Sequence, residues 1–324
     1  MSFSSKVNYL RISVTDRCNL ACCYCVPKDQ ISLLTHRDIA RYEEILRIVR
    51  ASCRLGITKV RITGGEPLVR KGIVDFIQSI AAMPEIQDLS ITTNGVLLEK
   101  NALALKESGL KRINISLDTL IPDRFRQITG KDLFLQVWKG IMAVMDQGFS
   151  PIKLNTVVMR GVNDDEIEAL AELSLKYPVH MRFIEYMPMG NSAVDSAQQI
   201  LIPEIKRRIE QRAGELIPVE RGMNDGPARR FKLPDALGEV GFISPVSSHF
   251  CHECNRLRLT STGTLRPCLL NNLEYDILTP LRKGATDREI EALIMKSIRN
   301  KPESHHLGMV NSERIESQMF SIGG

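Results

Sequence analysis

The sequence predicts an α/β fold, a partial (β/α)6 barrel of the TIM type, and three observations lead to this prediction. Short runs rich in β-branched residues alternate six times with helical patterns, which implies a parallel sheet. The predicted strands carry apolar and polar residues in turn, unlike strands that are buried on both faces. After about Met189 the pattern changes to short strands and turns. Six units are too few for a full eight-stranded barrel, and the order of elements alone leaves a doubly wound sheet open.

The six units follow one another up to about residue 188. Segment 9–15 (YLRISVT) is the first predicted strand, and segment 41–56 is the first amphipathic helix. The later strands are predicted at 59–63, 89–94, 112–118, 152–159 and 180–188, with helices at 73–83, 99–109, 133–148 and 165–177. One further helical pattern, 203–220, precedes a turn-rich segment. We therefore predict a barrel over residues 1–188 and a C-terminal region over 189–324 that covers the barrel mouth.

The alternation within the strands places charged residues inside the barrel. If the apolar residues face the helices, the polar residues must face the interior. The cations placed there are Arg11, Arg61, Lys153 and Arg182. A filled apolar core would not tolerate such cations unpaired, so we expect a wet, basic cavity that holds a polyanion. The alternative is that each cation pairs with an acid such as Asp118 or Glu185.

The composition is that of an ordinary globular protein. Charged residues make up 25% and hydrophobic residues 43% of the 324 residues, and the net charge is +5. The sequence shows no secretory signal pattern and no apolar run that could span a membrane. We therefore expect a cytoplasmic protein that binds neither nucleic acid nor membrane. In that compartment its eight cysteines indicate metal ligands rather than disulfides.

Cys18, Cys22 and Cys25 form a C-x3-C-x2-C pattern directly after the first strand. Three thiolates at this spacing leave one iron of a four-iron cluster without a protein ligand. The alternative is a zinc loop with a distant fourth ligand such as Cys53. With Tyr24 before its last cysteine, the pattern resembles the cluster loop of the radical S-adenosylmethionine superfamily. In that superfamily S-adenosylmethionine chelates the open iron.

Segment 63–67 (TGGEP) follows the second strand. By itself it is a weak signal, because most such segments are tight turns. At this place it resembles the glycine-rich element of the same superfamily that meets the methionine part of S-adenosylmethionine. Paired glycines let a main chain approach a ligand closely.

Cys251, Cys254 and Cys268 form a second triplet, C-x2-C-x13-C. The alternative here is half a zinc ribbon that His249 or His252 completes. The triplet and several other segments resemble the branch of the superfamily that cyclises GTP in the first step of molybdenum cofactor biosynthesis. Those segments are 9–19, 61–70, 92–95, 112–118, 182–190, 241–247, 251–268 and 322–324.

The resemblance implies conversion of GTP to 3′,8-cyclo-7,8-dihydro-GTP with S-adenosylmethionine and two [4Fe-4S] clusters, one on each cysteine triplet. It implies that S-adenosylmethionine contacts Tyr24, Gly65, Ser116 and Met187. It implies that GTP contacts Arg11, Arg61, Thr92, Lys153, Arg182, Arg256, Leu257 and Arg258. It also implies that the glycines that catalysis requires, Gly323 and Gly324, extend into the active site.

The resemblance implies partners as well. These are GTP as substrate, an external electron donor, and cyclic pyranopterin monophosphate synthase, which takes the product. The sequence leaves the oligomeric state open, with a homodimer as one alternative. Two other functions stay open: a radical enzyme that acts on a peptide or a tetrapyrrole, and a metalloprotein that binds nucleic acid. The first would not need a basic cavity, and the second would place its basic residues on an exposed face.

Overall fold

Twelve strands form one sheet in the computed structural model, which describes residues 7–25, 34–187, 196–220, 222, 226–304 and 322. The strands are β1 (Tyr9–Ser13), β2 (Lys59–Thr63), β3 (Asp88–Thr93), β4 (Arg112–Ser116), β5 (Ile152–Val158), β6 (Val179–Glu185), β7 (Ile217–Pro218), β8 (Arg229–Lys232), β9 (Glu239–Ile243), β10 (Arg256–Leu259), β11 (Thr264–Arg266) and β12 (Tyr275–Asp276).

Helices connect most of these strands. They are α1 (Tyr42–Arg54), α2 (Ile73–Ala81), α3 (Leu98–Glu107), α4 (Pro122–Thr129), α5 (Phe134–Asp146), α6 (Ile167–Lys176), α7 (Ile202–Ala213), α8 (Leu278–Arg282) and α9 (Asp287–Arg299). In the part of the chain that the structure describes, no helix combines the length and the apolar character that crossing a membrane requires.

Strands β1 to β6 lie side by side in chain order, and every neighbouring pair is parallel. A doubly wound sheet reverses its strand order at a switch point, and these six strands contain no reversal. The predicted partial barrel is therefore confirmed. Within the described ranges the sheet stays open, because β7 and β12 are its unpaired edges.

The C-terminal part of the chain extends the sheet at both edges. Strand β10 pairs in parallel with β1, and β9 pairs in parallel with β6. The remaining four strands add antiparallel pairs beyond β9 and β10. Sequence patterns predicted short strands in this part without predicting that two of them join the barrel sheet. As a result, eight parallel strands surround the interior.

The two faces of the parallel strands carry different side chains, as the alternation predicted. Leu10, Ile12, Val60 and Ile62 are fully buried in the core between the sheet and its helices. On α1 the buried positions, such as Ile45, recur at helical spacing and meet this face. The polar side chains of the same strands face the interior, and they form the walls of the site.

Candidate active site

A cavity of about 340 Å³ extends from the barrel interior to the C-terminal ends of the parallel strands. Most of the residues to which the sequence assigned a role line it. They comprise both cysteine triplets, the four residues assigned to S-adenosylmethionine, and six of the eight residues assigned to GTP. The fold therefore brings together residues that lie up to about 250 positions apart in the chain, from Arg11 to Cys268.

Two of the residues assigned to GTP do not line the cavity. Leu257 lies on the opposite face of β10 from Arg256, and its side chain is fully buried in the apolar core. Strand alternation turns this side chain away from the interior, so only the main chain of Leu257 can meet a ligand there, and its assignment to GTP stays a prediction. Lys153 faces the interior two positions before Asn155, which lines the cavity, so Lys153 lies one layer deeper.

The two glycines expected to be catalytic, Gly323 and Gly324, lie outside the described residues. Ile322, directly before them, is 3% exposed and packs with Leu270 in a small apolar cluster. Cys268 packs against the same cluster. Ile322 therefore lies beside one cysteine of the second triplet.

Gly65 fixes the loop that carries the first cysteine triplet. Its N–H donates to the main-chain oxygen of Thr15 (2.7 Å). A Cβ at this position would collide with the main-chain oxygen of Arg17, so only glycine fits. The sequence predicted that this residue lets the main chain approach a ligand. In the structure Gly65 also lets the main chain of this turn pack closely against the main chain of residues 15–17, the segment that leads into Cys18.

The three cysteines of the first pattern face the cavity, whereas their chain neighbour Cys23 does not. Cys18, Cys22 and Cys25 line it, and Cys23 packs in a small apolar cluster around Met159. Burial raises the pKa of Cys22 well above its usual range and that of Cys25 to about 12. Thiolates in such positions require a bound cation, which a cluster iron would supply.

Glu66 is fully buried and ties the glycine-rich turn to the end of β3. Its carboxylate accepts hydrogen bonds from the N–H of Asn94 (2.6 Å), the hydroxyl of Thr93 (2.8 Å) and the N–H of Leu68 (3.0 Å). Burial raises its pKa to about 7, although these donors favour the ionised form. The Asn94 side chain also donates to Cys18 Sγ (3.7 Å). Sequence reasoning gave neither Glu66 nor Asn94 a role, although both lie within the motifs that carry the resemblance.

Tyr24 and Asp118 form a hydrogen-bonded pair at the cavity wall. The Tyr24 hydroxyl donates to Asp118 Oδ2 (2.6 Å), and the Val157 N–H donates to Oδ1 (2.9 Å). Burial raises the pKa of Asp118 to about 6. The other acid considered as a partner of the interior cations, Glu185, accepts hydrogen bonds from three main-chain N–H groups. Both acids are thus held by donors other than those cations.

The second cysteine triplet lies beside β10 and β11. Cys251 and Cys254 belong to the segment that connects β9 with β10, and Cys268 follows β11. All three line the cavity. Of the two histidines considered as zinc ligands, His249 also lines the cavity, and the His252 side chain is 74% exposed.

Cys254 lies in a cationic environment. Burial opposes ionisation of its thiol, but the charges of Arg256 and Lys301 outweigh burial and lower the pKa to about 6. Lys301 Nζ donates to the main-chain oxygens of Arg256 (2.8 Å) and of Pro267 (2.6 Å), the residue before Cys268. One buried ammonium therefore holds both segments that carry the triplet. The sequence gave no signal for Lys301, because any residue can supply a main-chain oxygen.

The interior of the barrel is strongly basic. Arg11, Arg182 and Arg258 are at most 8% exposed. Burial and repulsion by Arg256 lower the pKa of Arg258 to about 10. Burial and repulsion by Arg182 lower the pKa of Lys153 to about 6. These shifts share one cause, the crowding of cations in a buried space, and a bound polyanion would relieve it.

The donor chemistry of the two triplets fits iron–sulfur clusters. All eight cysteines are free thiols, and six of them line one cavity, while Cys53 lies outside it on α1. Within the described part of the chain, no three His, Cys, Asp or Glu side chains form a group that could hold a single metal ion. In a four-iron cluster each cysteine binds a different iron, so its ligands need not converge on one point.

Two family models match the chain. Residues 12–174 match the radical SAM superfamily, and residues 179–307 match the family described as Molybdenum Cofactor Synthesis C. Among solved structures, SuiB from Streptococcus suis has a TM-score of 0.64 at 16% identity, covering 97% of this chain and 76% of that one. SuiB bound to S-adenosylmethionine gives a TM-score of 0.60 at the same identity and coverage. At this identity the likeness shows the fold alone.

Several curated relatives are similar over their full length, and each is named GTP 3′,8-cyclase. The protein from Pelotomaculum thermopropionicum is 48% identical over 324 residues, which cover 100% of this chain and 99% of the relative. The protein from Thermodesulfovibrio yellowstonii is 50% identical with the same coverage of both chains. Because the identity is high and extends over the whole chain, this protein belongs to the GTP 3′,8-cyclase family of radical S-adenosylmethionine enzymes.

Proposed function

We propose that the chain converts GTP to 3′,8-cyclo-7,8-dihydro-GTP, the first step of molybdenum cofactor biosynthesis. The observation that supports this most directly is that buried arginines and two cysteine triplets line one cavity. Arginine suits a triphosphate because its planar fork binds phosphate oxygens bidentately and keeps its charge. A radical enzyme that acts on a peptide or a tetrapyrrole would not require this basic interior.

Membership of the radical SAM superfamily implies one [4Fe-4S] cluster and S-adenosylmethionine, which together supply a 5′-deoxyadenosyl radical when they are bound. We assign this cluster to Cys18, Cys22 and Cys25. The residues assigned to S-adenosylmethionine are Tyr24, Gly65, Ser116 and Met187. We propose a second [4Fe-4S] cluster on Cys251, Cys254 and Cys268, with one iron open to the substrate base.

The residues of the interior bind GTP and orient it. We assign the GTP contacts to the side chains of Arg11, Arg61, Thr92, Lys153, Arg182, Arg256 and Arg258 and to the main chain of Leu257. Fixing the triphosphate limits the motion of the ribose, so that C3′ can lose its hydrogen and C8 can accept the new bond. Burial keeps water away from the carbon that carries the radical, because water would quench this radical. A firmly held substrate avoids the same loss.

The proposed function also includes partners and organisation. An external donor supplies electrons, and cyclic pyranopterin monophosphate synthase takes the product. The chain acts in the cytoplasm, as a monomer or a homodimer. Residues 1–188 form the barrel part, and residues 189–324 form the part that carries the second cluster and the two glycines.

The test is an anaerobic incubation of the reconstituted protein with GTP, S-adenosylmethionine and dithionite. We expect mass analysis to find the cyclised nucleotide together with 5′-deoxyadenosine and methionine. The Cys22→Ala variant serves as the control without radical formation. Cleavage of S-adenosylmethionine without any change to GTP would contradict the proposal.

A further inference from the structure

The first residue of β1, Tyr9, has a buried hydroxyl that finds no hydrogen-bond partner in the described part of the chain. Tyr9 is 3% exposed and lines the cavity. Across the sheet it is paired with Arg256 on β10 and Lys59 on β2. No described residue accepts a hydrogen bond from its hydroxyl or donates one to it. A buried hydroxyl in this condition destabilises the fold, so its presence requires a reason.

Cations surround the Tyr9 side chain. Lys59 Nζ lies 5.0 Å and Arg61 Cζ lies 5.6 Å from the centroid of its ring. Burial opposes ionisation of the hydroxyl, but the charges of Arg61, Arg11, Lys59 and Arg256 outweigh burial and lower its pKa. Guanidinium and ammonium groups carry donors only, so none of these neighbours can accept the proton of the phenol.

The acid that pairs with Lys59, the cation beside Tyr9, is already engaged. Asp88 pairs with Lys59 Nζ (3.1 Å) and with Arg112. Arg61 Nε donates to the Ser90 hydroxyl (3.2 Å). A ligand of the cavity can supply the acceptor that the Tyr9 hydroxyl lacks among the described residues. The surrounding positive charge selects an anionic acceptor.

We infer that the Tyr9 hydroxyl donates a hydrogen bond to a phosphate oxygen of the bound nucleotide. The inference rests on the proposed function, which makes GTP the ligand of the cavity. A phosphate is favoured over the base or the ribose because Tyr9 lies among Arg11, Arg61 and Arg256, cations assigned to GTP, and only the phosphates carry the negative charge that such cations attract. The phosphate charge also offsets those cations and so keeps the phenol protonated as a donor. Tyr9 is thus a positioning residue that binds substrate without taking part in bond changes.

The test compares the Tyr9→Phe variant with the wild-type protein, both with reconstituted clusters. We expect Tyr9→Phe to bind GTP about ten-fold more weakly, as the loss of one hydrogen bond to a charged group predicts. Guanosine, which lacks phosphates, should bind to both proteins within about two-fold of the same affinity. The KM for GTP should rise while kcat changes little, since the contact serves binding rather than chemistry.

Tyr42→Phe is the matched control. The Tyr42 hydroxyl also has no partner among the described residues, but Tyr42 stacks on Phe76 and lies outside the cavity. This variant should bind GTP as the wild type does. Iron content and uncoupled cleavage of S-adenosylmethionine should be the same in all three proteins.

Three results would overturn the inference. The first is an unchanged GTP affinity in Tyr9→Phe, the second is an equal loss of affinity for guanosine, and the third is loss of the clusters in this variant. The last two would mean that the hydroxyl serves the nucleoside or the fold. If the wild-type protein itself did not bind GTP, the proposed function would fail first, and this result is distinct from the other three.

Discussion

Cys22 and Cys23 are neighbours in the chain, but only the first faces the cavity. We expect Cys22→Ala to lose the first cluster and all cleavage of S-adenosylmethionine, because a cubane held by two cysteines lacks a required ligand. Cys23→Ala is the matched control and should keep both, since its side chain packs away from the cavity. Iron content and 5′-deoxyadenosine formation measure the two effects. An essential Cys23 with a dispensable Cys22 would reverse the assignment.

Lys153 should take up a proton when GTP binds. Its pKa is lowered to about 6, so at pH ~7.5 the side chain is mostly neutral before the anion arrives. The triphosphate favours the ammonium form and raises this pKa. By linkage, GTP affinity should then increase as the pH falls from about 8 towards about 6.

Calorimetric titrations in buffers with different heats of ionisation measure this proton uptake. Lys153→Met should remove the uptake and most of the pH dependence of GTP binding. Lys176→Met, at an exposed position on α6, should retain both. Equal proton uptake by the wild type and Lys153→Met would exclude this lysine as the titrating group.

Single residues differed in how far the sequence could predict them. Arg11 and Arg61 were predicted inside the barrel from alternation alone, and both line the cavity. The resemblance assigned Leu257 to the substrate without distinguishing its main chain from its side chain, and the same alternation turns this side chain into the core. Lys301 could not be predicted, because it acts on main-chain oxygens that leave no trace in the sequence.

Among the elements, those with a local sequence pattern could be predicted, and those that depend on long-range pairing could not. Strands β1 to β6 were predicted because each repeats an alternation within a few residues and is followed by an amphipathic helix. The parallel pairing of β10 with β1 joins segments almost 250 residues apart, from Tyr9 to Arg256. No local period encodes such a pairing, so the contribution of β9 and β10 to the barrel sheet required the structure.

The segment after α9 should be necessary for the second cluster. Lys301 Nζ is the donor that joins the main chains at Arg256, two residues after Cys254, and at Pro267, directly before Cys268. Lys301→Met leaves two buried oxygens without this donor, and each unsatisfied group costs about 1–3 kcal/mol. We expect this variant to lose the iron of the second cluster and to keep the first.

Iron and sulfide content, together with the EPR signals of the reduced clusters, test this expectation. Lys296→Met, at an exposed position on helix α9 shortly before Lys301, is the control and should retain both clusters. Full iron content in Lys301→Met would show that the cysteines hold the second cluster without the lysine. Zinc at this triplet in the wild type would contradict the second cluster itself.

In the molecule as a whole, the active-site cavity lies at the opening of the barrel. Eight parallel strands run from β10 through β1 and β6 to β9, and a closed barrel would pair β9 with β10. In the described ranges these two strands are not paired, and segment 244–255 connects them. Because this segment carries Cys251 and Cys254, the second triplet lies where closure would occur. The opening leaves room for a nucleotide that a filled eight-stranded barrel would exclude.

Ile322 is buried beside Cys268 and Leu270, and both of these neighbours line the cavity. We expect removal of Gly323 and Gly324 to abolish the cyclised product, because residues without side chains can enter a narrow space beside a bound nucleotide. Both clusters and uncoupled cleavage of S-adenosylmethionine should persist, since neither triplet is changed. Ile322→Asp should have the same effect by releasing the segment from its apolar contacts. Product analysis by mass spectrometry decides the matter, and a wild-type yield from the truncated protein would refute a role for the glycines.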